Sequence, residues 1–505
     1  MEGPSRTHDR SAGVSPPPNE GVPRPGPGGP ASAPRGAAVH VPGARRAFVT
    51  LLGVDLWERF SFFGMAAILV LYLTAAPADG GMGMASQTAT AVFATYMSLS
   101  FIAGLPGGWL ADRVLGARRA VLLGGGLIAT GHAVLSFAFV PALYTGLLLI
   151  VVGTGLSKPS LAAMVAAVSG PEKREEAFSR FYMCIQVSAL VAPVVTGLLA
   201  EKVAWHLGFA AAAFGMAAGL AQFGIGMRAV EGTTWGPTRP ISREEAGTAA
   251  RRAGAVLAVA AVSVTAVSLG ALPLTAVLAV LGLITVALPF LYLRMLSRRT
   301  SMGRERLSAF TAVMGASAAF WMIFAQSGSV LSLFAERHTD RVVLGFDVPA
   351  SWMQSVHPLF VLLLAPFVTR LRGEVTTKVA GALGVAGLSF VVMAGASLLA
   401  QEQRVSVGWL IVVYLLYSLG EIVLAPAGLA LAAAVAPPGF TNRFLALNGM
   451  FAAVGVVLGG QLYRLTAVLP LPAYFLLMGT AVLATGATLA AAAHRLHPAL
   501  PGRTR

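Results

Sequence analysis

The segment DLWERFSFFG, residues 55–64, puts Asp55, Glu58 and Arg59 into a stretch otherwise apolar enough to cross a bilayer. On a helix, residues three and four apart share a face, so Asp55 and Glu58 lie on one side and Arg59 sits one turn beyond Asp55. An ionised group at membrane depth costs about 2.5–3.5 kcal/mol even on the lenient insertion scale, and lipid offers it no hydrogen-bond partner. That face must look onto a wet cavity or a partner helix. Few other ionisable groups fall at depth: Lys158 and Glu421, with His132 and His357 as the candidate histidines. Three acids and two bases left unpaired would cost on the order of 15 kcal/mol, more than most domains have to spare, so they must meet one another or water. One reading is a structural ion-pair network. The reading favoured here is a path or site for a charged ligand, because the acids and bases come from both halves of the chain.

The elements that position these groups are helices in a membrane. The chain is 56% hydrophobic and only 11% charged, with mean hydropathy +0.74, against roughly 25% charged in soluble proteins. Its surroundings are therefore expected to be a lipid bilayer. The net charge of +15 is no nucleic-acid footprint, since the basic residues occupy short loops between apolar runs and follow the positive-inside rule. Cys184 is the single cysteine, which excludes an internal disulfide and a cysteine metal cluster. Arginine far outnumbers lysine, and Ala and Gly abound; this suggests a GC-rich bacterial genome and a plasma (inner) membrane location. No metal-ligand spacing, nucleophile motif or phosphate loop lies at depth, so an enzyme is not expected.

Fourteen apolar runs are long enough to span, from 47–75 to 470–494. Of the 36 Lys and Arg, 29 then fall on the side of the termini and 5 on the other, with Arg59 and Lys158 at depth; both termini are expected in the cytoplasm. The seventh and eighth runs, 253–270 and 272–296, carry no acid, lysine or histidine at depth and read as a hairpin inserted between two bundles of six. The expected organisation is a tail over 1–44 that is disordered and lacks a signal-peptide core. It is followed by a six-helix bundle over 45–229, a cytoplasmic linker with the two-helix hairpin over 230–305, a second six-helix bundle over 306–496 and a tail over 497–505. In such pseudo-symmetric folds the ligand sits at the midplane between halves.

The sequence GGWLADRVLGARRA, 107–120, follows the second run. Its glycines permit close helix approach, and Asp112 with Arg113, Arg118 and Arg119 can form interchangeable ion pairs at a gate. It resembles the loop signature of the major facilitator superfamily. Within it, the chain resembles the proton-dependent oligopeptide transporter family along nearly the whole membrane portion. DLWERFSFFG is similar to the helix 1 pattern and GTGLSKPS, 153–160, to the helix 4 segment. FYMCIQVSAL, 181–190, FWMIFAQSGS, 320–329, and YSLGEIVLAPAGL, 417–429, are similar to those of core helices 5, 7 and 10.

The resemblance implies an all-α major facilitator fold and symport of protons with di- or tripeptides by alternating access, with protons as coupling ion, no other cofactor and a monomeric protein. Asp55, Glu58, Arg59 and Lys158 would handle the proton. Arg59 and Lys158 would also face the peptide carboxylate, and Glu421 the ammonium. Phe62, Phe63, Gln186, Trp321, Gln326 and His357 would complete the substrate site, although Trp321 and its neighbour Phe320 serve equally well as helix packing. Pro159 and Pro426 read as kinks.

Several positions depart from the family pattern. An arginine is replaced by Ala66, two helix 1 tyrosines by Phe62 and Phe63, the acid before the helix 7 glutamine by Ala325, the helix 8 asparagine by His357, and the helix 5 Asn and Gly by Gln186 and Val187. Without an acid at Ala325, Lys158 is expected to find its counter-charge on helix 1. The pocket is expected to favour more apolar or less acidic ligands. His357 is either a hydrogen-bonded core residue or a group titrating near neutrality; His132 reads as structural. Two other functions fit less well: proton-coupled export of a drug or secondary metabolite, and a non-transporting receptor, which would be expected to shed costly intramembrane charges.

Overall fold

The computed structural model describes residues 43–137, 139–170, 173–227, 235–238, 240–300, 302–368 and 373–500. Apart from Gly43 and Ala44, the tail expected over 1–44 lies outside the described residues, and helix α1 already begins at Ala44.

Backbone amides in a bilayer must be satisfied within their own segment, and the apolar runs accordingly fold as helices. The first half holds α1 (Ala44–Thr74), α2 (Ser86–Ile102), the short α3 (Gly104–Leu110), α4 (Ala117–Leu135), α5 (Val140–Ser169), α6 (Arg174–Lys202) and α7 (Trp205–Gly226). A hairpin of α8 (Arg243–Ser268) and α9 (Leu274–Ser297) follows. The second half holds α10 (Arg304–Phe324), α11 (Val330–His338), α12 (Met353–Val368), α13 (Val375–Leu399), α14 (Gly408–Val435), α15 (Thr441–Leu462) and α16 (Leu471–Leu496). Among the described residues, thirteen helical spans are long and apolar enough to cross a membrane, against fourteen expected runs. The third run forms α4, whose Arg118, Arg119, His132 and glycines lower its hydropathy. It still packs lengthwise on α5. A Cβ at Gly124 would lie 2.6 Å from the Gly153 carbonyl oxygen, so the absence of a side chain is what lets the two backbones meet.

Within the first half α1 packs on α6 and α7, and α4 on α5 and α7; in the second, α13 packs on α14 and α16, and α10 on α15. The halves meet through α2 against α15 and α6 against α12. The hairpin stands at the margin: α9 leans on α15 and α2, while the most apolar window of α8 buries none of its residues.

On the side away from the chain termini, a series of hydrogen bonds joins the halves. Glu201, ending α6, accepts from the backbone N–H groups of Ala350 and Ser351 at 2.7 and 2.9 Å, which leads into α12. The Trp352 indole donates to Val194 O at 3.0 Å and Ser355 Oγ to Leu190 O at 2.7 Å, while midway along α2 and α15 Ser98 Oγ donates to Ala453 O at 3.0 Å. Lys202 Nζ meets Asp347 Oδ2 at 2.9 Å. Asp347 belongs to a small hairpin in which Val342–Val343 pairs antiparallel with Phe346–Asp347, turning through Leu344 and Gly345, both at positive φ. A second pairing, parallel, ties Thr339–Asp340 to Val405–Ser406 on the same side.

Candidate functional site

Between the halves lies a narrow cleft of about 70 Å³ lined by α1 (Phe62, Phe63, Ala66), α2 (Phe93, Met97), α6 (Ala189, Pro193), Phe324 at the end of α10 with Ala325, Ser327 and Gly328 after it, α12 (Gln354, His357, Pro358) and Tyr417 of α14. That is smaller than the roughly 300–1,000 Å³ of typical small-ligand sites.

On the first-half side, Asp55 and Glu58 are buried to 1% exposure, and Arg59 Nε stands 3.4 Å from an oxygen of each. Helical spacing accounts for this: Asp55 and Arg59 are four apart, and Glu58 is adjacent to the arginine. One guanidinium thus serves two carboxylates, leaving the cluster one positive charge short. Lys158, on α5, is close enough to feel the field of Glu58 and Asp55. However, its ammonium forms no ion pair among the described residues and stands over the Phe62 ring, 4.2 Å from the centroid. Glu58 and Asp55 of helix 1 thus reach Lys158 through their field alone, opposed by that of Arg59, from beyond ion-pair distance. Arg59 occupies both acids, and helix 1 offers the lysine the negative face of an aromatic ring instead. Phe62 in turn packs edge-on to Phe63 at 5.3 Å and lies 6.4 Å from Tyr96 of α2.

On the second-half side, His357 Nε2 is paired with Glu421 Oε2, both side chains 12% exposed. The imidazole stacks on Tyr417, with centroids 4.8 Å apart and planes at 16°, and Phe324 meets it edge-on at 5.7 Å. Glu421 and Tyr417 are four apart on α14, so one helical face presents both. The Tyr182 hydroxyl of α6 lies in the field of Glu421, with Gln186 buried one turn further along.

Other expected site residues sit elsewhere. Gln326 turns away from the cleft: its Oε1 accepts from Tyr474 OH at 2.8 Å and its Nε2 donates to Met322 O at 3.3 Å. The chain leaves α10 just before it, and the side chain is buried against α16. Trp321 is absent from the cleft lining and packs on Phe324 at 5.0 Å and, across the halves, on Phe101 of α2 at 6.1 Å. Between α3 and the first turn of α4, Asp112, Arg118 and Arg119 are exposed, and among the described residues none of Asp112, Arg113, Arg118 and Arg119 forms an ion pair with another. The loop is instead crossed by the linker: Thr238 Oγ1 contacts Asp112 O and Ile241 N contacts Arg113 O, each at 3.4 Å. A Cβ at Gly116, where φ is +78°, would lie 2.3 Å from Trp235 O. His132 is fully buried in α4 with neither ring nitrogen hydrogen-bonded.

Sequence reasoning missed Tyr417, Phe324, Tyr96 and Gln354. Tyr417 was legible in YSLGE, one helical turn before Glu421; the other three carry no local signal.

Comparison with known proteins places this geometry in context. The family model of the POT family matches residues 118–477. An uncharacterized transporter, YclF, of Bacillus subtilis (strain 168) is 32% identical over 88% of this chain and 93% of its own length. The peptide transporter YePEPT of Yersinia enterocolitica is also 32% identical, over 78% of this chain and 82% of its own. A crystal structure of a peptide transporter POT in complex with sulfate superposes with TM-score 0.85 at 33% identity, covering 90% of this chain and 96% of that one.

Proposed function

The chain belongs to the POT family of multi-pass membrane transporters, and from that premise we propose that it imports di- or tripeptides, or compounds built like them, together with protons by alternating access. The observation that carries this reading is the polarity of the cleft. Behind the lining residue Phe62 stands Lys158, and behind the lining residue His357 stands Glu421, so charge borders the cleft at two poles, one on each half of the molecule. A ligand spanning them would draw the halves together.

Proton coupling follows from the sharing of Arg59. With Asp55 and Glu58 both ionised, the guanidinium is held between them. A proton on either acid removes one claim on it and frees donors for a ligand carboxylate. At about 100 mV one inward proton supplies roughly 2.3 kcal/mol, sufficient for about fifty-fold accumulation. The hydrogen bonds at Glu201, Trp352 and Ser355 support a state closed on the side away from the termini. By the loop charges that side is the exterior of a bacterial plasma membrane, and protons are the only coupling partner the mechanism requires. The protein acts as a monomer in this reading, since one chain supplies both poles.

One observation favours proton-coupled export as a second reading: the cleft is walled by Phe62, Phe63, Phe93 and Phe324, which suits a more apolar cargo. Purified protein in liposomes, screened with a peptide library under imposed proton gradients of either sign, separates the two. Accumulation driven by an inward gradient supports import, and extrusion against it supports export.

A further inference from the structure

The pairing of His357 with Glu421 bears on what the second-half pole can accept. Glu421 is the only acid on the cleft side of α14, and its Oε2 is engaged by an imidazole from the same half. That imidazole is not loosely placed. Tyr417 stacks on one face at 4.8 Å and Phe324 closes from the side at 5.7 Å, so rotation away from Glu421 would forfeit both ring contacts. Pro358, the next residue, also lines the cleft.

We propose that His357 is the specificity-determining residue of this pole: by occupying the Glu421 carboxylate it bars the acid to other donors, so that the site takes peptide-like ligands whose amino end is acylated or otherwise uncharged. This rests on the reading of the cleft as the ligand site. A free ammonium would have to displace the ring from Glu421. Among the described residues, no acid lines the cleft to take its place. Of the elements packed on α12, α14 brings Glu421 and Tyr417, α6 brings the Tyr182 hydroxyl and, at the far end of the closed side, Glu201. The end of α10 brings the uncharged Phe324, and α11 carries Glu336, Arg337 and His338 near its outer end. The cleft residues of α1, Phe62, Phe63 and Ala66, are uncharged. The opposite pole keeps Lys158, which forms no ion pair among the described residues, so a carboxylate is still accommodated.

The test measures binding to the full-length protein in lipid nanodiscs, with alanyl-alanine, N-acetyl-alanyl-alanine and propylamine as probes. The wild-type protein is expected to bind the acetylated dipeptide better than the free one. His357→Asn should raise affinity for the free dipeptide about tenfold, the scale of one charge-assisted hydrogen bond made available, and leave the acetylated form unchanged. Adding Glu421→Gln should remove the gain. If His357→Asn does not fold, as judged by thermal denaturation, His357→Gln replaces it. Should peptides fail to bind any variant while His357→Asn still gains Glu421-dependent affinity for propylamine, the inference stands and the peptide reading falls. Equal binding of the free dipeptide by wild type and variant, or no gain for either amine probe, overturns it.

Discussion

Lys158 stands over the ring of Phe62, 4.2 Å from its centroid, while the two acids of the same helix are held by Arg59. A desolvated cation–π contact is worth up to about 2 kcal/mol, enough to fix the ammonium behind the cleft wall without neutralising it. Phe62→Leu should therefore weaken gradient-driven uptake about tenfold, whereas Phe62→Tyr, which keeps the ring, should not. Initial uptake rates in proteoliposomes decide between them; equal loss in both would mean the ring matters for packing alone.

Arg59 is the only cation paired with Asp55 and Glu58 among the described residues. Removing one partner from a buried ionic group typically costs about 3–5 kcal/mol, because charge is left behind without compensation. Arg59→Gln is expected to lower the thermal midpoint substantially, and adding Asp55→Asn should recover part of the loss by deleting one stranded charge. A double variant as unstable as the single would show that the acids are compensated by something other than the arginine.

Glu201 accepts two backbone N–H bonds at the start of the segment leading into α12. Its replacement by Gln should cost on the order of 1–3 kcal/mol of the closed state and shift spin-label distances between the ends of α6 and α12 toward longer values. Unchanged distance distributions by double electron–electron resonance would contradict a latch.

The neighbouring bridge makes a prediction about pH. A hydrogen bond from Lys202 holds the Asp347 carboxyl below the usual range, with Arg341 adding attraction. Because the folded value is depressed, the contribution is fully present above the carboxyl's unfolded value, about 3.9, and is lost as pH falls through the lower folded value. Between about pH 5 and 8 this bridge should be insensitive to pH. The same spin-label distances, measured in an Asp347→Asn background and in the wild type, should thus differ by a constant amount across that window; a difference that vanishes at about pH 5 would show the carboxyl already protonated there.

Much of this site was readable from residue spacing. Asp55, Glu58 and Arg59 had to share a helix face, and the apolar runs had to be helices because lipid leaves backbone amides no other partner. Which group answers which charge was not readable. Spacing along one helix placed Arg59 against its acids, but the partners of Lys158 and Glu421 come from other helices, and only the packing of α5 on α1 and of α12 on α14 decides them. Gln326 illustrates the same limit: its motif marked it for the cleft, yet the chain leaves the helix just before it and turns the amide toward Tyr474. The aromatic clamp of Phe324 and Tyr417 on His357 combines two segments nearly a hundred residues apart, and only Tyr417 had a local cue.

The central claim is that protons drive peptide-like ligands through the cleft by way of the helix 1 acids, Arg59 and Lys158. Its most direct measurement is uptake of labelled N-acetyl-alanyl-alanine into proteoliposomes under an imposed inward proton gradient, comparing wild type with Lys158→Ala. The account predicts accumulation above equilibrium in the wild type, collapse of that accumulation when the gradient is dissipated, and none in the variant. Concentrative uptake that survives in Lys158→Ala would contradict it.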